Sequence, residues 1–173
     1  NAKIILVGTF FLERVHLKSN IIIDLSEATI FCLQPNEWIY KVDEQEKDYT
    51  RTISINGVKG VTVIGGNFVG SDSIDDRTTA IHVGGNADNI VFMGTQRFSD
   101  LSVGIGIREA QTVTFDTIIG KNLKGSYVNG DLRAALVNGR AGKGVKINTM
   151  FSQNSKKDCL YLGTDSTVGQ NED

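Results

Sequence analysis

A short alternation of apolar and polar residues recurs along the chain, and no other feature restricts its fold as much. The copies are Gly60-Val61-Thr62-Val63, Asn89-Ile90-Val91-Phe92, Thr112-Val113-Thr114-Phe115 and Gly144-Val145-Lys146-Ile147. Each follows another short alternating segment: Ile53-Ser54-Ile55, Ile81-His82-Val83, Ile105-Gly106-Ile107 and a less regular Ala135-Leu136-Val137, with Leu160-Tyr161-Leu162 standing alone. A period of two marks strands with one buried face. Small, polar or charged residues fill 56–60, 84–89, 108–112 and 138–144 between the paired strands, and a third apolar piece follows, as in Phe68-Val69, Ile118-Ile119 and Met150-Phe151. Each unit reads strand, turn, strand, bend, strand.

Measured at the second strand, Val61 to Ile90 is 29 residues, Ile90 to Val113 is 23 and Val113 to Val145 is 32. Loops vary while strands persist, which is how stacked repeats behave. Stacking turns Ile53 and Ile55, Ile81 and Val83, Ile105 and Ile107, and Leu160 and Leu162 into apolar ladders facing one interior. A β-sandwich is the competitor. It fits less well, because the Asn-Gly pairs at Asn56, Asn129 and Asn138 fall at different places relative to the strands, whereas hairpins need them at the turns. The 19 glycines and the single Pro35 agree with strands and tight turns.

The expected fold is all-β: one right-handed, single-stranded parallel β-helix of about five to six coils, rising about 25 Å. It divides into a first coil (1–32), an insertion loop (33–50) with Trp38, Tyr40, Tyr49 and the charged run from Asp43 to Asp48, repeated coils (51–162) and a polar tail (163–173). The tail offers no apolar run to cover the last coil. The expectation is a segment of a longer solenoid, or an end covered by a partner.

The stretch from Gly8-Thr9-Phe10 through Leu17-Lys18-Ser19-Asn20-Ile21-Ile22-Ile23-Asp24 resembles the first coil of pectin-lyase-like right-handed β-helices, where a "GTY" strand precedes an "L-x-S-N-x-x-I" strand. The later units are similar to that superfamily's "G-I-x-I … N-V-x-I-x-N" rhythm, and Asp158-Cys159-Leu160-Tyr161-Leu162-Gly163-Thr164 to its "D-G-I-x-L" strand. In style the chain is closest to bacteriophage tailspikes and appendages and to bacterial surface-polysaccharide enzymes. The resemblance implies a groove along the strand before the turn, a polysaccharide partner, a homotrimer, and a location outside the cell or on a virion. The pectinolytic signatures are missing: Asp75-Asp76 is the only adjacent aspartate pair, His82 is not flanked by glycines, and no "R-I-K" occurs.

On the strand facing that groove the outward positions are Ser54, His82, Gly106, Leu136 and Tyr161, of which His82 and Tyr161 carry useful chemistry. Asp76, Asp100 and Asp131 each precede their strand's reference residue (Ile81, Ile105, Leu136) by five positions, which aligns them in one column; Asp158 precedes Leu160 by two. Glycoside hydrolysis needs two carboxylates, and residues one or two coils apart meet the retaining or inverting separation. Asp76, Asp100 and Asp131 are thus the candidate catalytic residues. Turn aspartates equally serve as acceptors for backbone N–H groups. His82, Arg108, Glu109, Arg133 and Tyr161 are the candidate substrate contacts, with Arg77 and Arg140 nearby; His16 reads as part of a strand's alternation.

A net charge of −2 gives no chain-wide attraction for nucleic acid, and no stretch nears the roughly 18 apolar residues of a membrane-spanning helix. Cys32 and Cys159, far apart, read as buried free thiols. Residues 139–144 lack the spacing and Ser/Thr of a phosphate loop. No metal or cofactor is expected. The leading function is binding, and possible cleavage, of bacterial surface polysaccharide. The alternatives are a non-catalytic structural or adhesive β-helix and a lyase or epimerase of uronate polymers.

Overall fold

Strands with one apolar face must bury it, and these bury it against their counterparts in neighbouring repeats. The computed structural model describes residues 2–33, 41–42, 46–47, 50–70, 78–128, 131–133, 135–140, 143–156 and 159–163. They are all-β and form two parallel sheets and two short hairpins. The larger, 7-stranded sheet contains β1 (Ala2–Leu12), β3 (Ile21–Cys32), β7 (Lys59–Ile64), β8 (Asn67–Val69), β10 (Asp88–Ser99), β12 (Val113–Lys121) and β16 (Val145–Gln153). The smaller, 6-stranded sheet contains β2 (Val15–His16), β6 (Thr50–Asn56), β9 (Thr78–Gly84), β11 (Val103–Arg108), β15 (Val137–Arg140) and β17 (Leu160–Gly163). Two antiparallel hairpins branch from this frame, β4 (Lys41–Val42) with β5 (Glu46–Lys47) and β13 (Ser126–Val128) with β14 (Asp131–Arg133).

The chain alternates between the two parallel sheets as it advances, and the strands of each sheet follow one another in chain order. Register follows the apolar pattern. Val61, Ile90, Val113 and Val145 pair successively, as do Val63, Phe92, Phe115 and Ile147. In the smaller sheet Ile53, Ile81 and Ile105 pair in turn, as do Ile55, Val83 and Ile107. These residues share one continuous core, and all but Val145 and Ile147 are fully buried within it. Phe92 stacks on Phe115 with ring centroids 4.5 Å apart, and Phe68 on Phe98 at 5.2 Å. Each stack contributes about 0.5–1.5 kcal/mol beyond its buried area.

Turns between sheets use left-handed backbone in matching places. Asn20 and Gly144, immediately before β3 and β16, and Gly60 and Asn89, the second residues of β7 and β10, all have positive φ. Immediately after β10, β12 and β16, Asp100, Asn122 and Asn154 adopt φ of 57°, 55° and 55°. Asn and Asp tolerate this region because their short polar chains satisfy backbone groups locally.

Three expectations need correction. The partner of Ile105 is Val137, not Leu136. Leu136 is wholly buried, its Cδ1 methyl 3.0 and 3.1 Å from where side chains on Gly120 and Gly104 would begin, so it fills the interior instead of facing out. Asn138 and Gly139, read as turn, belong to β15. The third apolar piece is a separate strand only at β8, where Gly65 and Gly66, both with positive φ, interrupt pairing. In β12 Asp116 takes the corresponding bend, its carboxylate accepting from Gly94 N–H at 3.0 Å and Asn148 Nδ2 at 3.3 Å, and the strand continues through Ile118 and Ile119. Cys32 is buried and Cys159 half-buried, and neither is joined in a disulfide. No helix among the described residues is long and apolar enough to cross a membrane.

Candidate functional site

Alternation sends every second residue of the smaller sheet away from the core, and parallel register stacks those residues in columns. One column runs His16, Ser54, His82, Gly106, Asn138, Tyr161. The next runs Asn56, Gly84, Arg108, Arg140, Gly163. The two columns share a face. Its burial varies along the column: His16 is exposed, Ser54 and His82 are buried, Gly106, Asn138 and Tyr161 are half-buried, and Arg108 is exposed.

His82 lies flat against this face because two neighbours lack side chains. A Cβ on Gly84 would stand 2.6 Å from the imidazole Cε1, and one on Gly106 3.5 Å from Cδ2. Its Nδ1 is buried and has no hydrogen-bond partner, and neither has the buried Oγ1 of Thr52 on the adjoining strand. Buried polar atoms are ordinarily paired, so two unpaired ones on one face mark it as unusual. Burial lowers the His82 pKa from 6.5 to about 3, with the positive charges of Arg51 and Arg108 adding to the effect. The imidazole is therefore neutral near pH 7 and keeps a lone pair able to accept from a hydroxyl. Arg108 reaches Glu109 only at 3.9 Å, both side chains being about half exposed, a contact of little worth.

The predicted site residues divide by position. His82, Arg108 and Tyr161 share the outer face of the smaller sheet, and Glu109 follows Arg108 in the turn with a left-handed φ of 57°. Asp100 lies at the opposite end of β11, in the turn before it. Its Oδ1 accepts from Asn122 Nδ2 at 3.1 Å, and Asn122 Oδ1 accepts from Asn154 Nδ2 at 3.4 Å, so the aspartate heads a ladder of turn residues. Asp131 and Arg133 begin and end β14, paired with Val128 and Ser126 in the hairpin, and not with Asp100. Asp76, Arg77 and Asp158 lie outside the described residues. Because Val137 is the counterpart of Ile105, Asp131 precedes its reference residue by six positions, and the five-residue spacing that groups it with Asp76 and Asp100 does not hold for it.

Sequence reasoning missed Asn138, Thr52 and Arg51. The Asn138-Gly139 pair was visible but carried a turn signal strong enough to hide a strand. Among the described residues no group of three or more His, Cys, Asp or Glu could hold a metal ion. No family model, curated protein or solved structure matches the chain.

Proposed function

We propose that this chain is a right-handed parallel β-helix that binds a bacterial surface polysaccharide along the outer face of its smaller sheet. Two parallel sheets visited alternately in chain order support the helix, and parallel crossovers are right-handed in nearly all proteins. The observation that carries the binding reading is the accessible part of the two columns beyond His82. Tyr161 supplies an aromatic body with a polar tip, Asn138 both a donor and an acceptor, Arg108 a planar set of donors, and Gly106 a place where a ring approaches the backbone closely. From Gly106 to Tyr161 is two strand spacings, about 10 Å, the reach of a short oligosaccharide.

The observations favour binding over cleavage. Asp100 is engaged with Asn122 in a turn, and Asp131 belongs to a different hairpin, so neither described aspartate has the other as a partner. The location belongs to the same proposal: outside the cell or on a virion, as in a phage appendage, where such polymers are met. Self-association into a trimer fits the exposed Phe11, Met93 and Phe151 of the larger sheet, which sedimentation velocity would reveal as a species of three times the chain mass.

Affinity electrophoresis against purified surface polysaccharides, paired with a reducing-end assay, tests the function. Retarded migration without new reducing ends is expected, and Tyr161→Ala should weaken retardation about tenfold while leaving the melting temperature within a few degrees. Absence of retardation by every polysaccharide offered would overturn the reading; release of reducing ends would replace binding by cleavage.

A further inference from the structure

Strand β1 lacks the devices that ordinarily protect the edge of a sheet, which are brevity, charge, proline or a bulge. Among the described residues it pairs with β3 alone. It is 11 residues long, with no proline and no acidic residue, and its one charge is Lys3, near one end. The irregularity in its pairing falls between Ile5 and Val7, which face Asp24 and Glu27, so the additional residue belongs to β3 and β1 keeps an unbroken alternation. Even-numbered residues face the core: Ile4 pairs with Ile23, Phe10 with Ile30 and Leu12 with Cys32, and all three partners are buried. Of the odd-numbered residues, Ile5, Val7 and Phe11 are 59, 63 and 62% exposed on the outer face.

The backbone divides in the same way, because successive residues of a strand turn their N–H and C=O groups to opposite edges. Ala2 N–H donates to Asn20 O at 3.3 Å and Leu12 O accepts from Leu33 N–H at 2.8 Å, so the even-numbered residues bond toward β3. The odd-numbered residues from Lys3 to Phe11 turn theirs to the other edge. An antiparallel strand added there must exchange hydrogen bonds with these odd positions. The β1 of a second copy does so about a twofold axis at Val7: Lys3 faces Phe11, Ile5 faces Thr9 and Val7 faces its own counterpart, while Ile4 faces Phe10 and Ala2 faces Leu12 on the core side. The two Lys3 side chains then lie at opposite ends of the ladder, each opposite an aromatic ring. Head-to-tail stacking, with β16 of one copy on β1 of the next, lacks this match. Register carries Lys3 through Ile22, Thr62, Val91 and Thr114 to Lys146, so prolonging that column sets Lys146 against Lys3. Like charges directly opposed destabilise a sheet.

We infer that two copies of this chain join edge to edge through β1, antiparallel about Val7, so that their larger sheets become one sheet and their cores one core. The occupant of the edge is a second copy because faces, hydrogen-bonding positions and charge all match about a single axis, and a contact of that kind closes on itself. It covers Ile4, Leu6, Phe10 and Leu12 at the end of the core and Ile5, Val7 and Phe11 outside it. The pairing is independent of glycan binding, which is placed on the smaller sheet. It is also separate from the threefold association proposed above: where both form, β1 joins two trimers into an assembly of six chains.

The test uses the intact chain in two measurements. Sedimentation velocity compares the parent with Val7→Glu, which sets two carboxylates against each other at the axis. The expected result is a parent assembly of twice the mass of the variant (two chains against one, or six against three where the trimer forms) with the same far-UV circular dichroism. A parent containing an odd number of chains, or equal masses for the two proteins, would overturn the inference. The second measurement needs no dissociation: Val7→Cys and Thr9→Cys, each in a Cys159→Ser background, are oxidised with copper phenanthroline and resolved on non-reducing gels. Hydrogen-bonded antiparallel partners have Cα atoms about 5.5 Å apart, within disulfide reach. The two Thr9 residues are offset by four positions along the strands, about 14 Å, and out of reach. Val7→Cys should therefore link into covalent pairs at least tenfold faster than Thr9→Cys. Equal rates, or faster linkage of Thr9→Cys, would exclude the antiparallel pairing about Val7.

Discussion

The two parallel sheets have the same architecture and opposite exteriors. In both, paired strands stack apolar residues into a common core. Outside, the larger sheet mixes both signs of charge with exposed Ile5, Val7, Phe11, Met93 and Phe151, and Lys3 pairs with Asp24 at 3.5 Å. The smaller sheet instead has a polar column from Ser54 to Tyr161 and charge of one sign. The difference shows that the repeat restricts only half of each strand. Inward positions must be apolar and in register, whereas outward positions are free to be selected for what they meet.

The largest effect should come from breaking what the sheets share. Phe92 is fully buried and stacked on Phe115, so Phe92→Ala removes an aromatic ring from a column that cannot collapse without shifting two strands. A loss of about 3–5 kcal/mol is expected in urea denaturation. Tyr161→Ala, on an outward position of the smaller sheet, should cost far less. If the two substitutions cost the same, the division into structural and free positions is wrong.

A second, smaller effect sharpens the contrast at His82, a buried outward residue that titrates. His82 titrates near 6.5 in the unfolded chain and is held down to about 3 in the fold, chiefly by burial. Below pH 6.5 the unfolded chain therefore binds a proton that the folded chain refuses. Stability contributed by the neutral imidazole is complete above pH 6.5 and falls as pH drops toward 3, by up to about 1.4 kcal/mol per pH unit. Denaturation midpoints measured between pH 7 and pH 4 should show this slope, and His82→Leu should flatten it. A slope unaltered in that variant would place the acid sensitivity elsewhere.

Much of the interior was legible in the sequence, because a period of two is itself the imprint of one buried face. Val61, Ile90, Val113 and Val145 were aligned by pattern and are aligned by pairing. The pattern fails at Ala135-Leu136-Val137, where three successive residues are buried at a corner and alternation no longer says which one faces in. That single ambiguity displaced the supposed aspartate column by one residue. The outer face was only partly legible: His82, Arg108 and Tyr161 could be nominated from strand position, but the burial of His82 depends on glycines in neighbouring strands and on long-range packing. Asp100 shows the same limit, since its partner Asn122 lies 22 residues away.

The smallest predicted effect concerns Asp100, because it separates a turn residue from a catalytic one. Its φ of 57° favours Asp, Asn or Gly and disfavours a β-branched side chain. Asp100→Asn should keep both the conformation and a hydrogen bond to Asn122, leaving stability within about 0.5 kcal/mol of the parent. Asp100→Val should cost about 1–2 kcal/mol, from the strained backbone and the lost Asn122 contact. Thermal denaturation of the two variants distinguishes the roles when read beside polysaccharide binding. A turn residue gives two proteins with nearly equal glycan affinity and different melting temperatures. A residue that handles substrate gives the reverse, with Asp100→Asn already impaired although its fold is intact. The first outcome would confine recognition to the outer face of the smaller sheet; the second would extend it around the end of β11 to the turn that precedes it.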